Sequence, residues 1–313
     1  MNKFRAFFLI SIVVLIISSA CEKAVYKPSS EEENIIYSFE NEKTNQKFTI
    51  VHAYKSYNEY LTKLAEKDED IDKVYKEQII EPVYERCFKD GEYIHMAMDF
   101  ITQPPTQLHS LKELVNKIDE EETNTLIRES LIKSSNLLEA EGETTVCIFP
   151  VPNVNSVPMV TVGTGKIIVF YNPTITNDIL RAVMAHEYHH SYWTEKHYDE
   201  GRSFSVLDNL IFEGKAVMFE KQVYPDITHT PIYPEYNHKY WSQVESYLDT
   251  HDFTQSLTIL RGGNLLPSHY GYSEGYKMVA NYLEQHPNLK PEDWTALDAK
   301  EIFEKGEYEK NYE

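Results

Sequence analysis

Asn177-Asp178-Ile179-Leu180-Arg181-Ala182-Val183-Met184-Ala185-His186-Glu187-Tyr188-His189-His190 reads as one helix carrying the pattern His-Glu-x-x-His. Residues four apart on a helix lie one above the other, so the imidazoles of His186 and His190 can reach a single metal ion. Glu187, beside the first histidine, is then placed to act on a water activated by that ion. Ile179, Val183, His186 and His190 fall at steps of four, three and four, so both histidines continue an apolar stripe. Two buried imidazoles need partners, and a shared divalent cation supplies them. His189, three residues from His186, is the competing ligand; it lies off the stripe, which favours His190 and leaves His189 to a local hydrogen bond or to solvent.

A tetrahedral catalytic zinc takes three protein ligands and keeps its fourth position open. The third is sought in Ser205-Val206-Leu207-Asp208-Asn209-Leu210-Ile211-Phe212-Glu213-Gly214-Lys215-Ala216-Val217-Met218. Val206, Leu210, Glu213 and Val217 repeat the four-three-four spacing, which puts the Glu213 carboxylate in an apolar stripe where it needs a partner or a metal. Gly214 would allow close helix approach. Asp208 and Glu220 are rival carboxylates, Asp208 off the stripe and Glu220 near the helix end before Pro225. Twenty-two residues separate His190 from Glu213, enough to end one helix, turn and start the next.

Around these two helices the chain divides by composition. Lys3 and Arg5 precede the apolar run Ala6 to Ile17 and the small residues Ser18-Ser19-Ala20, the layout of a secretion signal over residues 1–20. A run of twelve residues, apolar but for Ser11, is too short to span a bilayer. Cys21 follows directly, as in the lipobox of bacterial lipoproteins, although Ser18 stands where an aliphatic residue is usual. Lipidation of Cys21 would make residues 21–34, with Pro28 and the run Glu31-Glu32-Glu33, a flexible tether. The mature protein is then expected outside the cytoplasm, held to the membrane by its lipid.

The remaining span, 35–313, is expected to form one domain of α+β class, mainly helical with a small sheet. Ile35 to Phe39 and Phe48 to Ala53 flank a polar turn and read as a hairpin. From Tyr57 to about Ala140 apolar residues recur at helical spacing, giving an N-terminal helical wall over 35–140. Residues 141–313 form the metal-site half. Thr144 to Val151 and Val160 to Tyr171 are β-rich, the second interrupted by Gly163-Thr164-Gly165 as in a hairpin. Thr176 or Asn177 can cap the motif helix. The prolines 225, 231 and 234 mark an irregular loop over the cleft.

Bulk properties exclude some roles. A net charge of -20 opposes binding to phosphate backbones, so nucleic acid is not an expected partner. The 23 tyrosines suggest a surface or groove rich in amphipathic aromatics. Cys87 and Cys147 sit in no metal-ligand spacing and are equally plausible as a disulfide or as two buried thiols. His197, His229, His238 and His251 show no ligand spacing and read as surface residues.

The segments His186 to His190, Leu207 to Ala216 and Gly271-Tyr272-Ser273-Glu274-Gly275-Tyr276-Lys277 together resemble the DUF2268 family of predicted zinc-dependent peptidases, over roughly Phe48 to Glu307. The resemblance implies a zincin-like core with a gluzincin-like site: one Zn2+ held by His186, His190 and Glu213, with Glu187 as general base. A strand leading directly into the His-Glu-x-x-His helix is similar to the arrangement of zincin-type metallopeptidases, which implies a peptide or protein substrate that adds to the edge of the sheet. Lys215 departs from the small or apolar residue expected there and would put a charge near the cleft. Tyr272, Tyr276 and His269 are candidate oxyanion donors. The alternative is a lipoprotein that uses the same fold to bind metal and partners without turnover.

Overall fold

The structure, a computed structural model, describes residues 32–66, 69–263 and 265–313. The leader and Cys21 therefore lie outside the described residues, as does most of the tether.

The hairpin forms as β1 (Ile36–Glu40) and β2 (Lys47–Val51), antiparallel with Ile36 opposite Val51 and Glu40 opposite Lys47. β3 (Thr144–Pro150) then pairs parallel to β2, with Phe48 opposite Thr144. Parallel neighbours need a crossover, and here the connection is the whole helical wall, residues 52–143. β4 (Met159–Gly163) and β5 (Lys166–Tyr171) make the second hairpin, turning through Gly165 at φ 65°, a conformation that favours glycine. β5 slots in beside β3 and leaves β4 at the edge, so the order is β1-β2-β3-β5-β4. Val146, Cys147, Ile148 and Phe149 are fully buried on both faces of β3, the pattern of a central strand covered on two sides.

The wall is built of short pieces: α1 (Tyr57–Leu64), α2 (Ile71–Tyr75), α3 (Tyr84–Cys87), α4 (Met98–Thr102), α5 (Leu108–Val115) and the longer α6 (Glu120–Ser135). Part of the tyrosine excess is consumed here. Tyr57, Tyr60 and Tyr75 are buried and meet edge to face at 5.9 and 5.8 Å. They belong to the core, not to a groove. Cys87 and Cys147 pair as a disulfide with Cα atoms 6.0 Å apart, tying α3 to β3.

The second half holds α7 (Asn177–His197), α8 (Val206–Val223), α9 (His238–Trp241), α10 (Phe253–Arg261), α11 (Tyr270–Gln285), α12 (Pro291–Thr295) and α13 (Ala299–Lys305). Thr176 caps α7 by accepting from Ile179 N at 3.2 Å. Ser205 and Asp208 form a capping box on α8, with Arg202 also donating to Asp208 at 2.7 Å. That employment removes Asp208 from the list of ligands. Gly214 does permit a close approach, but to α11: a Cβ on Gly214 would run into the backbone of Gly275, and one on Gly275 into Leu210 O. α8 and α11 therefore cross almost backbone to backbone, and this fixes where α11 delivers its side chains. The C-terminus is held by Glu274, which accepts from Tyr308 (2.6 Å), Tyr312 (2.5 Å) and Lys277 (2.6 Å). A buried carboxylate without partners would cost roughly several kcal/mol; three donors offset that here.

Candidate metal centre

α7 is buried without a break from Ala182 to Thr194, so a polar and an apolar side cannot be told apart by exposure. Direction separates the histidines instead. His186 and His190 bring their Nε2 atoms to 3.1 Å, and each lies 3.2 Å from Glu213 Oε2 on α8. His189 points the other way. Its Nε2 is 3.1 Å from Thr295 Oγ1, its ring stacks on Trp294 at 5.7 Å, and it has no exposure at all. Burial first, then the charges of His190 and Lys215, hold His189 well below the ordinary imidazole range, so it is neutral. The alternative of a solvent-facing His189 is thereby overturned.

His186, His190 and Glu213 thus offer three ligand-type atoms within 4.8 Å of one another. Two ring nitrogens and a carboxylate oxygen at such distances repel unless a proton or a cation lies among them. Tetrahedral zinc with ligands at ~2.0–2.1 Å sets its ligand atoms roughly 3.3 Å apart, close to the observed triangle. The donor set, two imidazoles and a carboxylate, is also one that zinc takes. Electrostatics point the same way. Burial opposes a charge on His186, yet hydrogen bonding to Glu213 and Glu220 outweighs it and lifts the imidazole to about 10. Burial likewise opposes charge on Glu213, but the neighbouring histidines hold it far below the usual carboxylate range. The pocket is arranged for positive charge.

Glu220 is the residue that the stripe argument undervalued. It continues the spacing of Glu213 and Val217 by three more residues, and it is fully buried behind the triangle. Its Oε2 stands 3.7 Å from His186 Nδ1, the ring nitrogen facing away from Glu213, and accepts from Thr230 Oγ1 at 3.0 Å. It is thus no rival ligand in this arrangement but a partner to the far side of one histidine. The loop between α8 and α9 delivers Thr230, and it also fixes itself to α11 through Tyr233 N and Ser273 Oγ at 2.8 Å.

Glu187 sits between the triangle and the sheet. Thr161 N on β4 donates to its Oε2 at 2.7 Å, and Thr161 Oγ1 donates to its backbone carbonyl at 2.8 Å. Thr161 thus pins one oxygen of the carboxylate and leaves the other unengaged by the strand. No signal in the chain's periodicity announces Thr161, because the contact joins a strand to a helix 26 residues later.

Of the three candidate donors on α11, Tyr272 comes to the site, its ring 6.3 Å from that of His186. Burial, and after it the negative charges of Glu213 and Glu187, push its phenol well above the usual value, so it stays protonated and able to donate. His269 lies behind it, ring to ring at 5.7 Å, with Nδ1 against Ser268 Oγ. Tyr276, one turn on, feels Glu284 rather than the site's carboxylates. Lys215 does not charge the cleft: it is buried, donates to Thr295 O (2.9 Å) and Leu297 O (2.6 Å), and burial lowers it to about 7. His229, His238 and His251 are exposed and His197 half-buried.

The profile of the DUF2268 family, described as "Predicted Zn-dependent protease", matches residues 123–304, more than half of the chain and every residue of the triangle. The chain belongs to the DUF2268 family. The DUF2268 match runs from α6 into α13 and so takes in both site helices, β4 and α11. No curated protein and no solved structure matches the chain.

Proposed function

We propose that this DUF2268 member is a zinc peptidase that holds one ion through His186, His190 and Glu213 and uses Glu187 as its general base. The observation that carries the reading is the pairing of that triangle with a glutamate clamped to an edge strand. A bound zinc ion supplies Lewis acidity, polarising the peptide carbonyl and acidifying water. Glu187 takes the proton of the attacking water through its free oxygen and later delivers it to the leaving amine. Thr161 N keeps Glu187 from swinging away. Tyr272 donates to the oxyanion that develops on the carbonyl. The antiparallel edge strand beside the motif helix supports a zincin-like core, with an extended peptide adding to β4.

The test is to measure zinc content and hydrolysis of a mixed peptide library, before and after chelation. Stoichiometric zinc and hydrolysis that chelation abolishes and zinc restores are expected. Zinc without any hydrolysis would leave a binding protein. Glu220→Gln is expected to weaken zinc about 10–100-fold by loosening His186, read by competition with a chelating dye; unchanged affinity would show Glu220 to be packing only.

The proposed place of action is outside the cytoplasm, anchored by lipid on Cys21. The lipobox-like Ser18-Ser19-Ala20-Cys21 motivates it, and the Cys87–Cys147 disulfide supports an oxidising compartment. Cys21→Ser should move the protein from the membrane to the soluble fraction; membrane retention would count against lipidation.

A further inference from the structure

β4 is the last strand of the sheet, and the outer side of its second half is covered by another segment. Phe170 N on β5 donates to Pro158 O at 2.9 Å, so in the regular part of this antiparallel pair Pro158 and Val160 turn their backbone groups towards β5. Met159 and Thr161 turn theirs outwards, and Thr161 N uses its outward position to reach Glu187. The register shifts between Thr161 and Gly163, and a shift of this kind turns an extra residue's groups to the other side. Val162 O accordingly faces out, where Tyr93 N donates to it at 2.9 Å. A Cβ on Gly91 would collide with the same carbonyl. Glu92 completes the cover, accepting from Thr164 N at 2.8 Å and Thr164 Oγ1 at 2.9 Å. Residues 91–93 therefore occupy the strand edge from Val162 onwards.

This cover is fastened on both sides. The Cys87–Cys147 disulfide and the stacking of Phe88 on Phe149 at 5.7 Å bind it to the sheet. On the helix side, the Tyr93 hydroxyl lies 3.5 Å from Thr194 Oγ1, one turn beyond His190, and its ring meets Tyr198 edge-on at 5.6 Å. Tyr93 thus bridges from the strand to α7, seven residues or about 10 Å along the helix from Glu187, and closes the cleft on that side.

We infer that the site removes one or two residues from the amino end of peptides and does not cut within long chains, an inference that rests on the peptidase reading above. An extended peptide pairs best with an edge strand when antiparallel to it. Antiparallel to β4, its amino end points at Val162, where residues 91–93 block further pairing, and its carboxyl-terminal part runs out beside Met159 and Pro158. Glu187 is held at Thr161, next to the wall. The wall begins at Val162, one residue past the Thr161 that holds Glu187, so only one or two residues, at about 3.3 Å each, fit before the bond that Glu187 can serve.

The test uses zinc-loaded Glu187→Gln protein and fluorescent peptides of one sequence, grown a residue at a time from either end, with affinity read by anisotropy. Affinity is expected to fall at least about tenfold once the amino end is extended past about two residues, and to be indifferent to carboxyl extension. Wild-type digests of the same peptides, read by mass spectrometry, are expected to lose one or two amino-terminal residues. Equal affinity along the amino series, sensitivity to the carboxyl end instead, or cuts deep inside long peptides would overturn the inference while leaving the peptidase reading intact. Length-dependent binding with no hydrolysis by the wild type would do the reverse, sustaining the walled cleft and sinking the peptidase reading. Failure of every peptide to bind would overturn both.

Discussion

Glu187→Gln is expected to lower the rate of peptide hydrolysis by about 10²–10⁴-fold, the usual contribution of a positioned general base, while zinc content stays at the wild-type level. The substitution preserves shape. The glutamine carbonyl oxygen can still accept from Thr161 N, as Glu187 Oε2 does at 2.7 Å, and Thr161 Oγ1 still donates to the unchanged backbone carbonyl. The amide cannot take a proton from water, so only the chemical step suffers. Because Glu187 stands outside the triangle of His186, His190 and Glu213, the metal should be retained. The fall should lie in kcat, with KM nearly constant, since no substrate contact is removed. Wild-type turnover in the variant would reject Glu187 as the base, and loss of zinc would place it among the ligands.

Much of this arrangement is legible in the chain because it depends on near neighbours. The two hairpins follow from polar or glycine-containing turns between β-rich runs, and the start of α7 from the cap at Thr176. Helical spacing brings His186 and His190 to one side of α7 and gives Glu213 a place on α8. What is hidden depends on distant partners. The parallel pairing of β2 with β3 and the insertion of β5 between β3 and β4 need a crossover whose end point no local pattern specifies. Spacing prefers His190 to His189 on incomplete grounds: the helix is buried on all sides, and only Thr295 and Trp294, more than a hundred residues away, show what His189 does instead. Lys215 misleads for the same cause. Its charge looks destined for the cleft until the carbonyls at the end of α12 claim it. Tyr272 and Tyr276 are one turn, about 5.4 Å, apart on one helix; the Gly214–Gly275 crossing decides which of them reaches the site, and a crossing is not a property of either residue.

Glu213→Ala is expected to strip the protein of most of its zinc, with affinity falling by more than the roughly 100-fold that loss of an outer partner can cause. The remaining His186 and His190 would face one another at 3.1 Å with no anion between them, and two neutral donors hold a dication poorly in a pocket from which a charge has been removed. The pH dependence makes the test sharper. In the metal-free wild type the imidazole of His186 is lifted to about 10, so it carries a proton through the neutral range. Zinc requires the neutral ring, so binding expels that proton, and affinity should rise up to about tenfold per pH unit until pH approaches 10. Removing Glu213 removes the strongest of the three carboxylates that raise His186, leaving Glu220 and Glu187. The variant's weaker affinity should therefore stop rising at a lower pH. Dye competition across pH, with circular dichroism to verify the fold, reads both the depth of the loss and the position of the plateau. Wild-type zinc content in a folded Glu213→Ala protein would mean that the third ligand lies elsewhere, with Glu220 the next carboxylate to examine.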